Sequence, residues 1–176
     1  MSTEDRPELK KQQSSFIAEF TGPSLLFSDK FHLITQSGLP VSPDFLLGKV
    51  ICLLFGAAWS PPFTDFLALF KSFHEDLQAD GAPMEVIYIS FDRTSEEMMA
   101  LISDEFPESW VAVPHGSSMI NYLKLKYSIV VIPKLVVVRD NGDLITDKGV
   151  KEVRKRTKRC FTNWYNVANE TQLTDN

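Results

Sequence analysis

Thiol groups are scarce in this sequence. Its 176 residues include only two cysteines, Cys52 and Cys160, which lie far apart and form no CxxC pair. Two such cysteines are too few to build a disulfide framework. The three histidines, His32, His74 and His115, are scattered as well, and no cluster with the spacing of metal ligands is visible in the sequence. We therefore predict neither a metal site nor a bound cofactor.

The chain also lacks an excess of positive charge and a long hydrophobic run. It has 18 Lys and Arg against 23 Asp and Glu, a net charge of −5, whereas a general nucleic-acid-binding protein carries a basic footprint. The longest apolar stretch, Val50–Trp59, is too short for a transmembrane segment of ~18 residues. Because Met1–Ser15 is polar and lacks the apolar core of a secretory signal, we expect a cytoplasmic protein with passive access to the nucleus.

What is present is the composition of an ordinary globular domain. The apolar fraction is 44% and the charged fraction 23%, and the chain is long enough to bury a core. We expect one domain over residues 25–168, preceded by a flexible leader over residues 1–24 and followed by a polar tail over residues 169–176.

Strand and helix patterns alternate along the chain. Apolar runs predict strands at Phe31–Thr35, Val50–Phe55, Met84–Phe91, Trp110–Val113, Leu135–Val138 and Asp143–Thr146. Apolar positions at helical spacing predict a helix that begins at Pro62 and a single last helix from Val150 to Ala168. Thr94 followed by Glu97 is a capping box that predicts the start of another helix, and a further helix is predicted from Ser117. Asp140-Asn141-Gly142 is typical of a hairpin turn, and residues 38–43 predict a turn-rich connection. This order predicts an α/β fold with a mixed central sheet covered on both faces.

Several segments carry a family resemblance. Phe55–Phe63, which reads FGAAWSPPF, resembles the strand-to-helix active site of tryparedoxins and nucleoredoxins, where the motif is Trp-Cys-Pro-Pro-Cys. Ile89–Asp92 is similar to the end of that family's second core strand, and Ile132-Pro133 to the loop in which thioredoxin-like proteins hold a cis-proline. Lys134–Gly149 and Cys160–Trp164 look most like the small nucleoredoxin-like proteins linked to the survival of photoreceptors and other sensory neurons. The resemblance implies a thioredoxin-like three-layer α/β/α sandwich.

The resemblance also implies that Ser60 and Phe63 occupy the positions of the two reactive cysteines. Thiol–disulfide exchange needs a low-pKa thiolate that attacks and a second thiol that resolves the mixed disulfide. A serine hydroxyl is far less acidic than a thiol, and a phenylalanine ring has no reactive atom. Leu54 stands where thioredoxins keep a buried acid, so no catalytic residue of the dithiol chemistry is expected here. Without a nucleophile elbow or a nearby base, Ser60 is predicted to be a helix N-cap.

Two surfaces are candidates for binding a protein partner. The first is the emptied active site with the adjacent proline loop, formed by Trp59, Ser60, Pro61, Pro62, Phe63, Ile132 and Pro133. An apolar, unreactive surface of this kind suits a peptide or a protein. Two interpretations of Phe63 are open: its ring is exposed in this surface, or it packs beneath the helix in the space of a thiol.

The second candidate surface is basic. Seven cations and one acid, Glu152, lie between Lys148 and Arg159 on the predicted last helix, in a chain that is acidic as a whole. A surface of this charge suits an acidic partner or an anionic membrane. A charge run is also typical of a solvated helix face that binds nothing. The cations that we expect to form the basic surface are Lys151, Arg154, Lys155 and Lys158.

Two functions stay open on these residues. The first hypothesis is a redox-inactive, nucleoredoxin-like protein that acts by protein–protein interaction; for it, the resemblance implies a role in the maintenance of sensory neurons or in redox signalling. The alternative is a thiol-disulfide oxidoreductase of the nucleoredoxin family that uses an unconventional cysteine. Cys52 falls in a buried strand and Cys160 on an apolar helical stripe, and buried cysteines are inert, which favours the first hypothesis.

Overall fold

A single mixed sheet of seven strands organises the computed structural model, which describes residues 31–170. The strands are β1 (Leu33–Ile34), β2 (Pro40–Val41), β3 (Val50–Gly56), β4 (Met84–Ser90), β5 (Val111–Ala112), β6 (Lys134–Val138) and β7 (Leu144–Thr146). The α-helices of these residues are α1 (Pro61–Ala79), α2 (Ser95–Glu105), α3 (Ser118–Lys126), α4 (Gly149–Arg156) and α5 (Arg159–Glu170). The strand order is β2-β1-β5-β4-β3-β6-β7. The predicted leader and residues 171–176 of the predicted tail lie outside the described residues.

The centre of the sheet is built around β3. This strand pairs in parallel with β4, from Val50 opposite Met84 to Gly56 opposite Ser90. On its other side it pairs in antiparallel with β6. Every residue of β3 is buried, because helices cover both faces of the sheet. A strand that is apolar on both faces is stable only in such a central position.

Successive side chains of β3 point to opposite faces of the sheet. Cys52 and Leu54 belong to the core beneath α1, α2, α4 and α5, whereas Ile51, Leu53 and Phe55 belong to the core beneath α3. The result is three layers, which confirms the predicted thioredoxin-like α/β/α sandwich with a mixed central sheet. Within residues 31–170, no helix is long and apolar enough to cross a membrane.

The helix α1 begins one residue earlier than expected and carries the predicted apolar stripe, except that Leu69, which the same spacing places on it, is 40% exposed. Phe66, Phe70, Phe73 and Leu77 are buried. Consecutive rings stack, with centroids 5.6 Å apart for Phe66 and Phe70 and 5.7 Å apart for Phe70 and Phe73. The two prolines at the start remove no hydrogen bond, because N–H groups in a first turn have no intrahelical partner.

The structures predicted from two other short sequence patterns are also present: the start of a helix at Thr94 and a hairpin turn at Asp140-Asn141-Gly142. At the start of α2, Oγ1 of Thr94 accepts the N–H of Glu97 at 3.1 Å, and the Glu97 carboxylate accepts the N–H of Arg93 at 3.1 Å. The Asp140-Asn141-Gly142 turn joins the antiparallel strands β6 and β7, with Gly142 at a φ of +88°. Both predictions are confirmed. They could be made from the sequence because each depends only on neighbouring residues.

The prediction of one helix from Val150 to Ala168 is wrong. The structure has two helices, α4 and α5, separated at Thr157, whose φ of +46° interrupts the helical backbone. A straight helix over residues 149–170 would be roughly 33 Å long, whereas a strand as long as β3 spans ~23 Å, so its apolar stripe would run past the sheet. The break lets Val153 and Trp164 both reach the core. Across it, the indole N–H of Trp164 donates to the Glu152 carboxylate at 2.6 Å.

The turn-rich connection predicted at residues 38–43 contains a strand. Here β2 pairs with β1 in antiparallel, with Val41 opposite Leu33, and a 3-10 helix follows at Pro43–Leu46. A strand of two residues has no periodicity, so only its pairing with β1 identifies it. Leu46 of the 3-10 helix is fully buried in the core on the α3 side.

His74, on the buried side of α1, makes the stability of the fold sensitive to pH. Its ring lies edge-on to Trp110 with centroids 5.4 Å apart, and burial lowers its pKa below the usual 6.5. Below that pH, the unfolded chain takes up a proton that the folded chain takes up only at a lower pH. The free energy of unfolding therefore falls as the pH falls below about 6.5, by at most ~1.4 kcal/mol per pH unit.

We expect His74→Leu to remove this contribution. Urea unfolding between about pH 7.5 and pH 5.5 measures it, as the difference in slope between the variant and the wild type. His32→Leu, at an exposed histidine, is the matched control and should keep the wild-type slope. Equal slopes for His74→Leu and the wild type would contradict this role of burial.

Candidate binding site

The first predicted surface lies at the carboxyl end of β3. This strand ends at Gly56, residues 57–60 form a loop, and α1 begins at Pro61. Because Phe55 pairs with Lys134, the preceding Ile132-Pro133 loop lies beside this connection at the same edge of the sheet. The Ile132–Pro133 peptide bond is cis, as predicted. The fold thus brings together two segments that are far apart in the sequence.

Ser60 caps α1. Its Oγ accepts the N–H of Phe63 at 3.4 Å, and its backbone is extended, with a φ of −100° and a ψ of 105°. The predicted N-cap is confirmed. Pro61 and Pro62 follow in the first turn and are exposed, whereas Ser60 is only 4% exposed. The serine hydroxyl therefore serves the helix and adds little to the outer surface.

Phe63 packs beneath α1, so the interpretation that exposes its ring is wrong. The side chain is fully buried and stacks on Tyr88, with ring centroids 5.8 Å apart and an angle of 30° between the planes. A Cβ at position 56 would overlap the ring, which explains why β3 ends in glycine. Exposing the ring would cost about 1.5–3 kcal/mol of hydrophobic free energy, and this cost keeps it inside.

Trp59 is the exposed aromatic group of the site. The side chain is 55% exposed, and its indole N–H donates to the carbonyl of Phe91 at 3.2 Å, which holds the ring at the end of β4. Beside the cis-proline, Val130 and Val131 are 89% and 64% exposed. These apolar groups flank the carboxyl end of β3 from both sides. We call them the loop surface, which consists of Trp59, Pro61, Pro62, Val130, Val131, Ile132 and Pro133.

Sequence reasoning missed Val130 and Val131, although a signal was present. The run Ile129–Ile132 is entirely apolar, precedes a proline and belongs to neither a predicted helix nor a predicted strand. Apolar residues without an element to bury them are candidates for an exposed patch.

A buried carboxylate supports the loop, and sequence reasoning missed this group as well. Asp92 is 6% exposed, and its Oδ1 accepts the N–H of Ala58 at 2.7 Å. Its Oδ2 accepts the hydroxyl of Ser90 at 2.7 Å and that of Tyr88 at 3.4 Å. Burial and the charge of Asp92 raise the pKa of Tyr88, so its hydroxyl stays protonated and donates. Leu54 stands where the resemblance implies a buried acid in thioredoxins, and the buried carboxylate of this site lies instead two residues beyond the end of β4.

The two cysteines lie in the core, as predicted. Cys52 is fully buried and Cys160 is 1% exposed, and both belong to the core beneath α1. The thiol of Cys160 donates to the carbonyl of Thr157 at 2.9 Å. Burial raises the pKa of Cys160 to about 12 and also raises the pKa of Cys52. Both sulfurs are therefore protonated thiols at neutral pH.

The predicted basic surface is divided by the helix break. Lys151, Arg154 and Lys155 are exposed on α4, whereas Lys158 follows the break, so the four do not share one helix as predicted. The ammonium group of Lys158 lies 2.9 Å from the carboxylate of Asp80. The guanidinium group of Arg154 lies 5.7 Å from the centre of an aromatic ring of α1.

Comparison with known proteins identifies the family. Residues 48–144 match the model of a family described as thioredoxin-like, and the chain belongs to that family. Probable nucleoredoxin 3 of Arabidopsis thaliana is 38% identical over 125 residues, which are 66% of this chain and 31% of that protein. Nucleoredoxin-like protein 1 of Homo sapiens is 27% identical over 128 residues, 70% of this chain and 60% of that protein.

Solved structures agree with this assignment. The thioredoxin of Wuchereria bancrofti is 31% identical, with a TM-score of 0.66, over 78% of this chain and 96% of that one. Tryparedoxin structures share the fold, with TM-scores from 0.64 to 0.68. The chain is thus a thioredoxin-like domain with nucleoredoxin and tryparedoxin homologues, and it spans less than two thirds of the length of both nucleoredoxin relatives.

Removal of the Asp92 carboxylate should destabilise the fold at the loop. In Asp92→Ala the N–H of Ala58 loses a charged acceptor in a buried site, and we expect the free energy of unfolding to fall by about 2–3 kcal/mol. Urea unfolding followed by tryptophan fluorescence measures the loss. Tyr88→Phe removes only the longest of the three contacts and should cost below ~1 kcal/mol. Equal losses in the two variants would contradict the role assigned to the carboxylate.

Proposed function

We propose that this chain is a redox-inactive, nucleoredoxin-like protein that acts by binding a protein partner through the loop surface. The observation that supports this proposal most strongly concerns the side chains at the start of α1, where an oxidoreductase of this fold needs two thiols. There Ser60 caps the helix and Phe63 is fully buried. The equivalence of these two residues with reactive cysteines rests on the resemblance of Phe55–Phe63 to the Trp-Cys-Pro-Pro-Cys motif.

Neither residue has the chemistry of thiol–disulfide exchange. The attacking group must be a thiolate, whose charge the dipole at a helix N-terminus stabilises. Ser60 offers a hydroxyl, and that hydroxyl accepts the N–H of Phe63. Phe63 offers no second sulfur to resolve a mixed disulfide. The pair stabilises the start of α1 in the place where a dithiol would react.

The alternative, an oxidoreductase that uses an unconventional cysteine, has less support. Cys52 and Cys160 are at most 1% exposed, so a disulfide substrate has no access to either sulfur. The raised pKa values of both thiols also leave almost no thiolate at neutral pH. Catalysis by either cysteine would require the core beneath α1 to open.

The loop surface has properties that suit a protein ligand. Its exposed atoms are apolar, and Trp59 is held by its hydrogen bond to Phe91. The loop that carries this ring is supported in turn by Asp92. A preorganised side chain loses little entropy on binding, and tryptophan is enriched among the residues that contribute most to interfaces.

The basic surface is a second candidate, with an acidic protein as its partner. Among residues 31–170, Lys151, Arg154 and Lys155 form no ion pair, and all three are exposed. Unpaired charges of one sign accelerate association with a partner of opposite sign. Because exposed charges are screened by salt and apolar contacts are not, the salt dependence of binding separates the two surfaces.

The resemblance also supplies the biological setting of the proposal. It suggests the maintenance of sensory neurons or redox signalling as the process. The proposed location, the cytoplasm with passive access to the nucleus, rests on the sequence and not on the resemblance. Immunolocalisation in sensory tissue tests this part, and a secreted protein there would contradict it.

We expect the protein to reduce insulin disulfides no faster than background. The double variant Ser60→Cys with Phe63→Cys places two thiols at the start of α1 and should gain measurable activity, although loss of a buried phenylalanine costs about 3–4 kcal/mol of stability. Insulin turbidity in the presence of dithiothreitol measures the reaction. Cys52→Ala and Cys160→Ala are the controls. Turnover by the wild type that either control abolishes would support the alternative function.

Trp59→Ala should weaken capture of the native partner by about tenfold or more, because an aromatic anchor leaves the interface. Affinity capture from native tissue at low and high salt measures this. Tyr165→Ala, which removes an exposed aromatic group on α5, is the matched control and should capture normally. The double variant Lys151→Glu with Lys155→Glu should weaken capture only if the basic surface binds the partner. Capture that survives all these substitutions would refute both surfaces.

A further inference from the structure

A groove runs along the outer side of the molecule between α1 and α2. These helices follow the neighbouring parallel strands β3 and β4 and pack on the same face of the sheet, so they lie side by side. The groove between them has a volume of about 570 Å³. It extends from Ala58, in the loop before α1, to Lys71 and Glu105.

The floor of the groove is apolar. Leu67 and Leu101 line it and are 2% and 8% exposed. Ala68 of α1 and Ala100 of α2 are exposed along its sides. Larger side chains at these two positions would interdigitate and fill the space, as they do where two helices pack closely. The short alanines therefore leave an open channel over a hydrophobic base.

The rim of the groove is negative. Glu97 and Asp104 are exposed on α2, and neither forms an ion pair within residues 31–170. The cation of the lining, Lys71, is neutralised by Glu105, which lies 3.3 Å away. The helix α2 as a whole has four acidic residues and no basic one. An occupant of this groove meets two carboxylates that form no ion pair within residues 31–170, beside an apolar floor.

The dimensions of the groove suit a helix. Its lining runs from Thr64 to Lys71 on α1 and from Glu97 to Asp104 on α2, which corresponds to about two helical turns, or ~10 Å. An amphipathic helix in such a groove places residues i, i+3, i+4 and i+7 on the floor. An extended peptide binds instead by hydrogen bonds to a free strand edge, which a groove between two helices does not provide.

We propose that this groove binds an amphipathic helix of a partner protein, with apolar residues on the floor and Lys or Arg beside Glu97 and Asp104. The site is distinct from the loop surface, because Trp59 is not among its lining residues. The apolar floor and the negative rim both favour a helix that is apolar on one face and carries basic residues beside it. An acidic helix would place its charges beside the rim carboxylates, and its binding would be opposed.

The test titrates a model peptide of about 14 residues, Leu at i, i+3, i+4 and i+7 and Lys elsewhere, into the full chain by calorimetry. A peptide with Glu in place of Lys is the ligand control and should bind at least about tenfold more weakly. Glu97→Lys with Asp104→Lys should weaken the Lys peptide by about tenfold or more. Asp44→Lys with Glu75→Lys makes the same charge change outside the groove and should change affinity less than about threefold.

A pair of variants that change only the size of a side chain makes the test independent of charge and of the hydrogen bond by which Glu97 caps α2. Ala68→Trp fills the groove and should abolish binding, whereas Ala79→Trp, at an exposed alanine near the end of α1, should not. Equal affinity of these two variants, or equal affinity for the two peptides, would overturn the proposal. Loss of binding in Trp59→Ala would also overturn it, since the peptide would then occupy the loop surface. Failure here leaves the prediction for Trp59 and the native partner standing.

Discussion

The structure depends on the burial of β3 on both of its faces. This strand has β4 on one side and β6 on the other, and none of its residues is exposed. Once β3 is central, the end of β4 and the start of β6 must lie beside its carboxyl end. The loop that carries Trp59, the carboxylate of Asp92 and the cis-proline loop therefore converge, and the hydrogen bond from the N–H of Ala58 to Asp92 then fixes the first two together. Burial of one strand thus assembles the whole loop surface.

Packing and hydrogen bonds fix the start of α1 and the loop before it. The ring of Phe63 lies against Tyr88 and requires glycine at position 56. The hydroxyl of Tyr88 reaches Asp92, and Asp92 accepts the N–H of Ala58, the residue before Trp59. A buried aromatic group and an exposed one are therefore linked through one carboxylate.

The net charge of the chain is only −5, but acidic and basic residues are separated along one face of the sheet. The acidic helix α2 lies on one side of α1, and the basic helix α4 lies on the other, where Arg154 covers an aromatic ring of α1. The ion pair between Lys158 and Asp80 joins the basic side to the end of α1. As a result, a negatively charged surface lies on one side of α1 and a positively charged surface on the other.

Elements whose signals are local can be predicted from the sequence alone. The apolar strand from Val50, the aromatic stripe of α1, the cap at Ser60 and the capping box of α2 all involve residues within a few positions of each other, so their chemistry is visible without a fold. Four features depend on the folded chain: the burial of Phe63, the support of the loop by Asp92, the break of the last helix at Thr157, and the groove between α1 and α2. Each of these depends on residues far apart in the chain, whose distances are set by the pairing of strands and by the length of the sheet.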